Sequence, residues 1–302
     1  MTNRDKRIRP VIFGEVLFDH FPDGSIVLGG APFNVAWHLQ AFGQAPLFIS
    51  RVGNDPLGHK IKDKMELWGM DSSGLQLDSS HPTGTVNVQI SDGEPSYEIV
   101  QDCAYDFIAR DAIPPLPQQG ILYHGTLAIR NEHSASTLSS IKDNYCYSIF
   151  VDINLRPPWW NMQCINSALT DSHWAKLNED ELRQISPEDQ STTDVEQLAH
   201  NLLADFALEG VVITQGAKGA FALTANGDKV SAIPEMSKSV IDTVGAGDAF
   251  NSIILLGNIQ RWPLSLTLRR AQQFASQVVT IRGATINNRK FYQPLIDSWE
   301  LN

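Results

Sequence analysis

The sequence predicts an α/β fold in which a mainly parallel central sheet is covered by helices and a smaller sheet stands apart from it. Short apolar runs typical of buried strands alternate with helix-like segments at the start of the chain and again after Gly120. Such repeated βα units imply a parallel sheet with helices on both faces. Residues 83–100 instead alternate apolar and polar side chains, as expected of an antiparallel hairpin. Because no linker, repeat or low-complexity tract interrupts the chain, we expect residues 1-302 to form a single domain.

Apolar spacing and turn signals give the order of the main elements. Strands are predicted where short apolar runs end near a turn, and helices where apolar residues recur every three or four positions. The predicted strands are residues 11–13, 46–50, 121–124, 148–152, 174–177 and 211–214. The predicted helices are residues 34–42, 57–68, 195–206 with Asp194 as the cap, 247–259 and 263–282.

Two segments are predicted to form the small sheet. In the second of them, Val86, Val88 and Ile90 alternate with polar residues, and a turn is predicted at 92–93. Because one face of this hairpin is polar, we expect the small sheet to stand off the main body, where its apolar face covers a ligand or meets a partner chain. The segments are about 16-28 and 83-102.

Composition and charge exclude several classes of protein. The net charge is −11 and the pI is about 5.1, so the chain offers no basic surface for nucleic acid or an acidic membrane. Hydrophobic residues make up 42% of the chain, which is enough for a sizeable core. Cys103, Cys146 and Cys164 are widely spaced, and the charged N-terminus has no apolar leader. We therefore expect reduced thiols and a cytoplasmic protein with neither nucleic-acid nor membrane partners.

The most informative stretch is 242–250, in which Gly245, Ala246 and Gly247 form a turn followed by Asp248 and an apolar run. Glycines permit backbone angles and close approaches that a side chain would forbid. If a helix begins near Gly247, its free N–H groups form a site for a phosphate-like anion. A carboxylate beside that anion is unfavourable for passive binding, but it is useful if it takes a proton from a hydroxyl that attacks phosphorus. The motif therefore predicts phosphoryl transfer to an alcohol.

A second glycine-rich segment contains Gly29, Gly30 and Asn34 just before a predicted helix. The glycine backbone could approach a ligand closely, and Asn34 could bind a hydroxyl group. A simple glycine turn with Asn34 as the helix cap fits this segment equally well.

Asn178 and Glu181 follow a predicted strand and are three residues apart, so they could share one face of a helical turn. Oxygen ligands at this spacing suit Mg²⁺ held through its waters beside phosphates. A capping box, with Asn178 as the cap and Glu181 at the third helical position, is the simpler interpretation of this pair alone.

Two further segments follow predicted strands, where an open α/β sheet binds its ligands. Thr214, Gly216 and Gly219 lie in a glycine-containing loop that could also be a plain turn between strands. Arg156 could contact a phosphate, or it could form a surface ion pair.

Together and in this order, the motifs resemble those of the ribokinase-like (PfkB) carbohydrate kinase family, and within it those of fructokinases most. Five ordered matches make accidental similarity improbable, although each short pattern alone is weak. The matching segments are 29–36 and 242–250 for the two family signatures, 178–181 for the Asn-x-x-Glu motif, and 214–219 for the nucleotide loop.

The resemblance implies a Rossmann-like αβα sandwich with a small β-sheet lid, and a reaction in which ATP with Mg²⁺ phosphorylates a sugar hydroxyl. Asp248 matches the catalytic base of the family, and Gly245, Ala246 and Gly247 match its anion hole. Lid-mediated homodimers occur in the family, so the lid is the candidate surface for a second copy. The other expected site residues are Asp19, Gly29, Gly30, Asn34 and Arg156 for the sugar, Thr214, Gly216, Gly219 and Thr243 for the nucleotide, Asn178 and Glu181 for Mg²⁺, and Asp242 for a monovalent cation such as K⁺.

Departures from the fructokinase pattern leave the identity of the sugar open. Phe33 replaces the usual small residue between Pro and Asn, Ile153 stands where Asp-Pro-Asn is common, and Asn251 and Ser252 replace small residues after the second signature. None of these lies in the catalytic signature. The alternatives are a kinase for ribose, a keto-deoxy sugar acid or a nucleoside, or a non-enzymatic protein that senses sugar or nucleotide on a kinase scaffold.

Overall fold

A computed structural model describes residues 8–91, 94–187, 194–234 and 240–301. Within these ranges the chain forms thirteen strands and nine α-helices. The strands are β1 (Val11–Phe13), β2 (Leu17–His20), β3 (Ile26–Gly29), β4 (Leu47–Gly53), β5 (Leu75–Asp78), β6 (Gly84–Ser91), β7 (Glu94–Ile99), β8 (Gln119–His124), β9 (Cys146–Asp152), β10 (Trp174–Asn178), β11 (Gly210–Thr214), β12 (Ala220–Thr224) and β13 (Lys229–Ala232). The helices are α1 (Ala31–Ala41), α2 (Pro56–Trp68), α3 (Glu132–Asn144), α4 (Met162–Leu169), α5 (Glu179–Ile185), α6 (Val195–Asp205), α7 (Ala246–Ile259), α8 (Leu264–Val278) and α9 (Arg289–Ser298).

Nine of the described strands form the central sheet, in the order β13-β12-β11-β10-β9-β8-β1-β4-β5. Neighbouring strands are parallel from β11 to β5, whereas β12 and β13 are added antiparallel. The chain runs from β1 to one edge of the sheet and later from β8 to the other. The strand order therefore reverses beside β1, and ligands bind at such a point, outside the carboxyl ends of the strands.

Alternate side chains of the strands face two separate apolar layers. Ile12 and Phe48 lie in a cluster with residues of α1, α2, α7, α8 and α9, whereas Val11 and Leu47 lie in a cluster with residues of α3 to α6. Successive side chains of a strand point to opposite faces, so each face of the sheet is covered by its own helices. The predicted αβα sandwich is confirmed. Among the described helices, none has the length and apolar character needed to cross a membrane.

The small sheet has the order β3-β2-β6-β7, with β2 antiparallel to β3 and parallel to β6. It is built from the two predicted segments, and the side chains of Val86 and Val88 are buried. The predicted turn at 92–93 and the side chain of Ile90 lie outside the described residues. That residues 1-302 form a single domain stays a prediction.

Two helix boundaries differ from the sequence prediction by more than one residue. Helix α1 begins at Ala31, with a proline in its first turn, so Asn34 lies inside the helix and its interpretation as the cap is wrong. Helix α8 ends at Val278, four residues before the predicted end at 282. The carbonyl oxygen of Val279 accepts the N–H groups of Ile241 and Asp242, so this loop takes the place of a further helical turn.

Candidate active site

A cavity of about 730 Å³ lies between the carboxyl edge of the central sheet and the small sheet. Glu15 after β1, Asp152 of β9, Asn178 of β10 and Thr214 of β11 all line it. Val86 of the small sheet lines it as well, so the small sheet faces the cavity as a lid would. The site lies at the edge of the sheet where the topology predicts a ligand.

The glycine turn of the 242–250 motif opens helix α7 at this cavity. Gly245 caps the helix in the left-handed region (φ 81), and a Cβ atom there would overlap the side chain of Ala284. Both facts require glycine at this position. Gly245 and Gly247 line the cavity, whereas Ala246, the first helical residue, is not among its lining residues. The predicted helix start near Gly247 is correct to within one residue, and the first-turn N–H groups of a helix have no partner within it.

Asp248 lies in the first turn of α7, and its carboxylate faces the cavity. Its Oδ2 atom accepts a hydrogen bond from Nδ2 of Asn34 at 2.8 Å. Burial raises the pKa of Asp248 to about 6, the hydrogen bond from Asn34 acts in the opposite direction, and the charge of Asp152 raises the pKa further. Asp248 is thus largely ionised at neutral pH, and its pKa lies closer to neutrality than that of an ordinary carboxyl group.

The predicted sugar-binding residues gather on the lid side of the same cavity. Asp19 of β2, Gly29, Gly30 and Asn34 line it together with Arg156. Burial raises the pKa of Asp19 to about 6, whereas the charge of Arg156 lowers it. The Arg156 side chain is exposed and has no ion-pair partner among the described residues, so the surface ion pair is not formed there.

Asn178 and Glu181 form the capping box of α5 and line the cavity at the same time. The Oδ1 atom of Asn178 accepts the N–H of Glu181 at 2.8 Å, and Oε2 of Glu181 accepts the N–H of Asn178 at 2.7 Å. The other oxygen, Oε1 of Glu181, accepts the N–H of Leu155 at 3.0 Å.

This arrangement still fits a hydrated Mg²⁺ ion. Within the described ranges there is no group of three or more His, Cys, Asp or Glu residues that could hold a metal directly. Each carboxylate oxygen of Glu181 has a further lone pair for a metal-bound water. Burial raises the pKa of Glu181, and the charge of Lys176 opposes this effect.

The expected nucleotide residues divide into two groups. Thr214 and Thr243 line the cavity, whereas Gly216 and Gly219 are not among its lining residues and lie in the turn between β11 and β12. A Cβ atom at Gly219 would overlap the carbonyl oxygen of Ala232, so the packing of this turn already accounts for that glycine.

Asp242 lies beside the cavity and is not among its lining residues. Its Oδ1 atom accepts the N–H of Val244 at 3.0 Å, and its Oδ2 atom accepts the N–H of Gly283 at 2.9 Å. Asp242 thus ties its own loop, which the family resemblance associates with a monovalent cation, to the loop at Gly283.

Sequence reasoning missed a buried polar network behind Asp248. Nζ of Lys176 donates to Oδ1 of Asp152 at 3.1 Å, and Nδ2 of Asn251 donates to Oδ2 of Asp152 at 2.9 Å. Lys176 and Asp152 both line the cavity. The sequence feature that could have indicated this network is Lys176, a lysine within an otherwise apolar strand. Asn251, which departs from the family pattern, is explained by this contact.

The sequence of the chain is similar to those of known carbohydrate kinases. The model of the pfkB family carbohydrate kinases matches residues 8–290. The fructokinase of Klebsiella pneumoniae is 33% identical over 261 residues, which cover 82% of this chain and 83% of that protein. The fructokinase of Escherichia coli is 29% identical over 295 residues, which cover 90% and 94%.

A solved structure has the same fold over nearly its whole length. It is a double mutant of the fructokinase from Vibrio cholerae O395 in a form that binds fructose, ADP and a potassium ion. Its TM-score is 0.81 at 26% sequence identity, and the match covers 95% of this chain and 98% of that one. The predicted lid-and-sandwich architecture is therefore confirmed by comparison as well as by topology.

Proposed function

The chain belongs to the pfkB family of carbohydrate kinases and is an ATP-dependent sugar kinase, and we propose that its acceptor is fructose. The similar proteins named fructokinase support this acceptor, as does the fructose in the similar Vibrio cholerae structure. The observation that carries phosphoryl transfer to a hydroxyl group is Asp248, a carboxylate in the first turn of α7 that faces the cavity and accepts a hydrogen bond from Asn34.

Asp248 is the proposed catalytic base. It orients the attacking hydroxyl and takes its proton as the new O–P bond forms, which is feasible for a carboxylate because the proton leaves late. The transition state of phosphoryl transfer is loose, so positioning and charge stabilisation contribute most of the catalysis. The N–H groups of Gly245 and Gly247 would supply that stabilisation at the start of α7. The N–H of Ala246, the third predicted member, instead donates to the carbonyl oxygen of Thr243 at 3.3 Å.

The opposite end of the cavity is the proposed site for the nucleotide and its metal ion. Thr214 and Thr243 would contact the nucleotide, with Gly216 and Gly219 shaping the adjacent loop. Asn178 and Glu181 would hold Mg²⁺ through its waters. When bound, the metal ion supplies positive charge that offsets the charge of the phosphates. A monovalent cation such as K⁺ would bind between the loops that Asp242 joins.

On the lid side, Asp19, Gly29, Gly30 and Asn34 would hold the sugar, and Arg156 would contact the transferred phosphate. Closure of the small sheet would exclude water and so suppress hydrolysis of ATP.

The lid is also the proposed contact with a second copy of the chain. Tyr97 and Ile26 of the small sheet keep 51% and 41% of their surface exposed, which leaves apolar area for such a contact. Sedimentation of the wild type beside Tyr97→Ser would test this dimer.

We further propose a cytoplasmic location, because all three cysteines are free, as is usual in a reducing compartment.

The deciding experiment measures ADP release from ATP with Mg²⁺ across fructose, other hexoses, ribose, 2-keto-3-deoxygluconate and adenosine, with and without K⁺. Asp248→Asn is assayed beside the wild type. Turnover with fructose that depends on Asp248 would support the proposal. Turnover with another member of the panel would replace the acceptor, and binding of ATP and sugar without ADP release would favour a sensing protein.

A further inference from the structure

We infer that Glu15 binds the sugar directly, by accepting a hydrogen bond from a hydroxyl group other than the one that is phosphorylated. This inference rests on the proposed function, which supplies a polyhydroxy acceptor. Glu15 follows β1 at the carboxyl edge of the sheet and lines the same cavity as Asp19, Asn34 and Asp248.

One oxygen of the Glu15 carboxyl group has no partner. Glu15 is only 3% exposed, and its Oε2 atom has no hydrogen-bond partner among the described residues. Buried polar atoms are nearly always hydrogen-bonded, because an unpartnered one loses its bonds to water without replacement. Since the residue lines a cavity, a ligand is the natural partner.

Contacts within the protein explain the burial of the Glu15 carboxyl group only in part. The N–H groups of Ala31, at the start of α1, and of Glu15 itself lie near the carboxyl group and act to lower its pKa. The start of α1 also packs closely on this residue, because a Cβ atom at Gly30 would lie 2.6 Å from the carbonyl oxygen of Glu15. These two N–H groups leave Oε2 of Glu15 without a hydrogen-bond partner among the described residues.

The surrounding charges match a hydroxyl group better than a phosphate. Burial raises the pKa of Glu15 to about 7, the charge of Arg156 lowers it, and the charge of Asp248 raises it. A hydroxyl group can both donate and accept, so it pairs with this carboxyl group in either protonation state. A phosphate has mainly acceptor oxygens and would be repelled. Glu15 therefore belongs to the sugar end of the cavity.

Glu15→Gln tests this contact at nearly constant size. An amide has a single acceptor oxygen where the carboxylate has two, so the variant has one acceptor fewer for a sugar hydroxyl. We expect kcat/KM for fructose to fall about 10- to 100-fold, mainly through KM for the sugar, as for loss of a hydrogen bond to a charged group. KM for ATP should be unchanged.

Glu98→Gln is the matched control. It makes the same chemical change at an exposed residue of β7 that is not among the lining residues of the cavity, and it should keep the kinetics of the wild type. Thermal unfolding of both variants tests whether they are folded.

Deoxyfructose analogues that each lack one hydroxyl group identify the contact. On the analogue that lacks the bonded hydroxyl, wild type and Glu15→Gln should agree within about twofold, because neither can make the bond. On the other analogues the full difference should remain. An equal loss on every analogue would indicate a structural role, and unchanged sugar kinetics in Glu15→Gln would also overturn the inference.

Calorimetric titration of the same sugars into both proteins repeats the comparison without turnover, and equal affinities would again overturn the inference. A wild type that binds sugar but releases no ADP contradicts the proposed function alone. A wild type that turns over normally, beside a Glu15→Gln variant with the same kinetics, contradicts the role of Glu15 alone.

Discussion

The two ends of the cavity satisfy their polar groups in opposite ways. At the lid end, burial raises the pKa of Glu15 to about 7 and that of Asp19 to about 6, and Oε2 of Glu15 has no partner. At the other end, both carboxylate oxygens of Glu181 accept backbone N–H groups. Sugar hydroxyls can donate to carboxyl groups and phosphates cannot, so incompletely paired carboxyl groups are suited to the sugar. An end where backbone N–H groups already offset the charge of the carboxylate suits the nucleotide.

Asp248 stands where these two ends meet, and its replacement should have the largest effect. We expect Asp248→Asn to lower kcat by roughly 10²–10⁴-fold, the usual contribution of a general base. Asparagine retains an oxygen that can accept the hydrogen bond from Asn34, so the fold and ATP binding should persist. Steady-state kinetics and nucleotide titration would measure both effects. Near-normal turnover would contradict the assignment of the base.

The glycine that begins α7 should show the next largest effect. At Gly245, a side chain meets both a positive φ and the Cβ of Ala284, so Gly245→Ala should lower the free energy of unfolding by about 2–5 kcal/mol. It should also lower kcat/KM, because the N–H groups of the helix start would move.

Gly43→Ala is the control for this effect. Gly43 has a similar φ of 77, and nothing lies within 4 Å of an added Cβ. It should therefore lose only about 1–2 kcal/mol, the cost of the left-handed conformation, and keep its activity. Equal losses in the two variants, measured by denaturant unfolding, would show that the contact with Ala284 is unimportant.

The fold was predictable because its signals are local. Apolar runs and glycine positions marked the parallel strands and helix α2, whose C-terminal cap is Gly69, where the backbone is left-handed. The start of α1 was missed because Pro32 and the packing of Gly30 on Glu15 allow the helix to begin before Asn34. The end of α8 was missed because it depends on a distant loop at Ile241.

The candidate site was predictable only where its motif is contiguous. Residues 245–248 can be read from the sequence, because one turn presents both the N–H groups and the carboxylate. The pairing of Lys176 with Asp152 and Asn251 joins three separate elements, and only the folded sheet brings them together. The unpaired oxygen of Glu15 is invisible in a sequence, because burial and pairing are properties of the packed molecule.

The stability of the lid end should depend on pH through Glu15. Its folded pKa of about 7 lies above the ordinary value of 4.5, so the folded state binds the proton more tightly than the unfolded state. The free energy of unfolding therefore falls as pH rises from about 4.5 to about 7, by up to roughly 3 kcal/mol. Glu15→Gln removes the titrating group.

We expect Glu15→Gln to be more stable than the wild type at pH 8 and to lose most of that advantage by pH 5. Denaturant unfolding at both pH values measures this difference, with Glu98→Gln as the exposed control. An advantage that does not change with pH would show that Glu15 does not titrate in this range.

Replacing the proposed Mg²⁺ residues should have the smallest effect on activity. The test needs a control, because the same two residues form the capping box of α5. Replacing Asn178 and Glu181 together by alanine should raise the Mg²⁺ concentration needed for half-maximal activity by about tenfold, the lower end for residues that act through metal-bound water. The same change removes a helix cap, which alone costs about 1 kcal/mol.

Asn131→Ala, which removes the cap of α3 away from the cavity, separates the two effects. It should lower stability by a similar amount and leave the Mg²⁺ titration unchanged. If the double variant also titrates like the wild type, Asn178 and Glu181 serve only as the cap of α5.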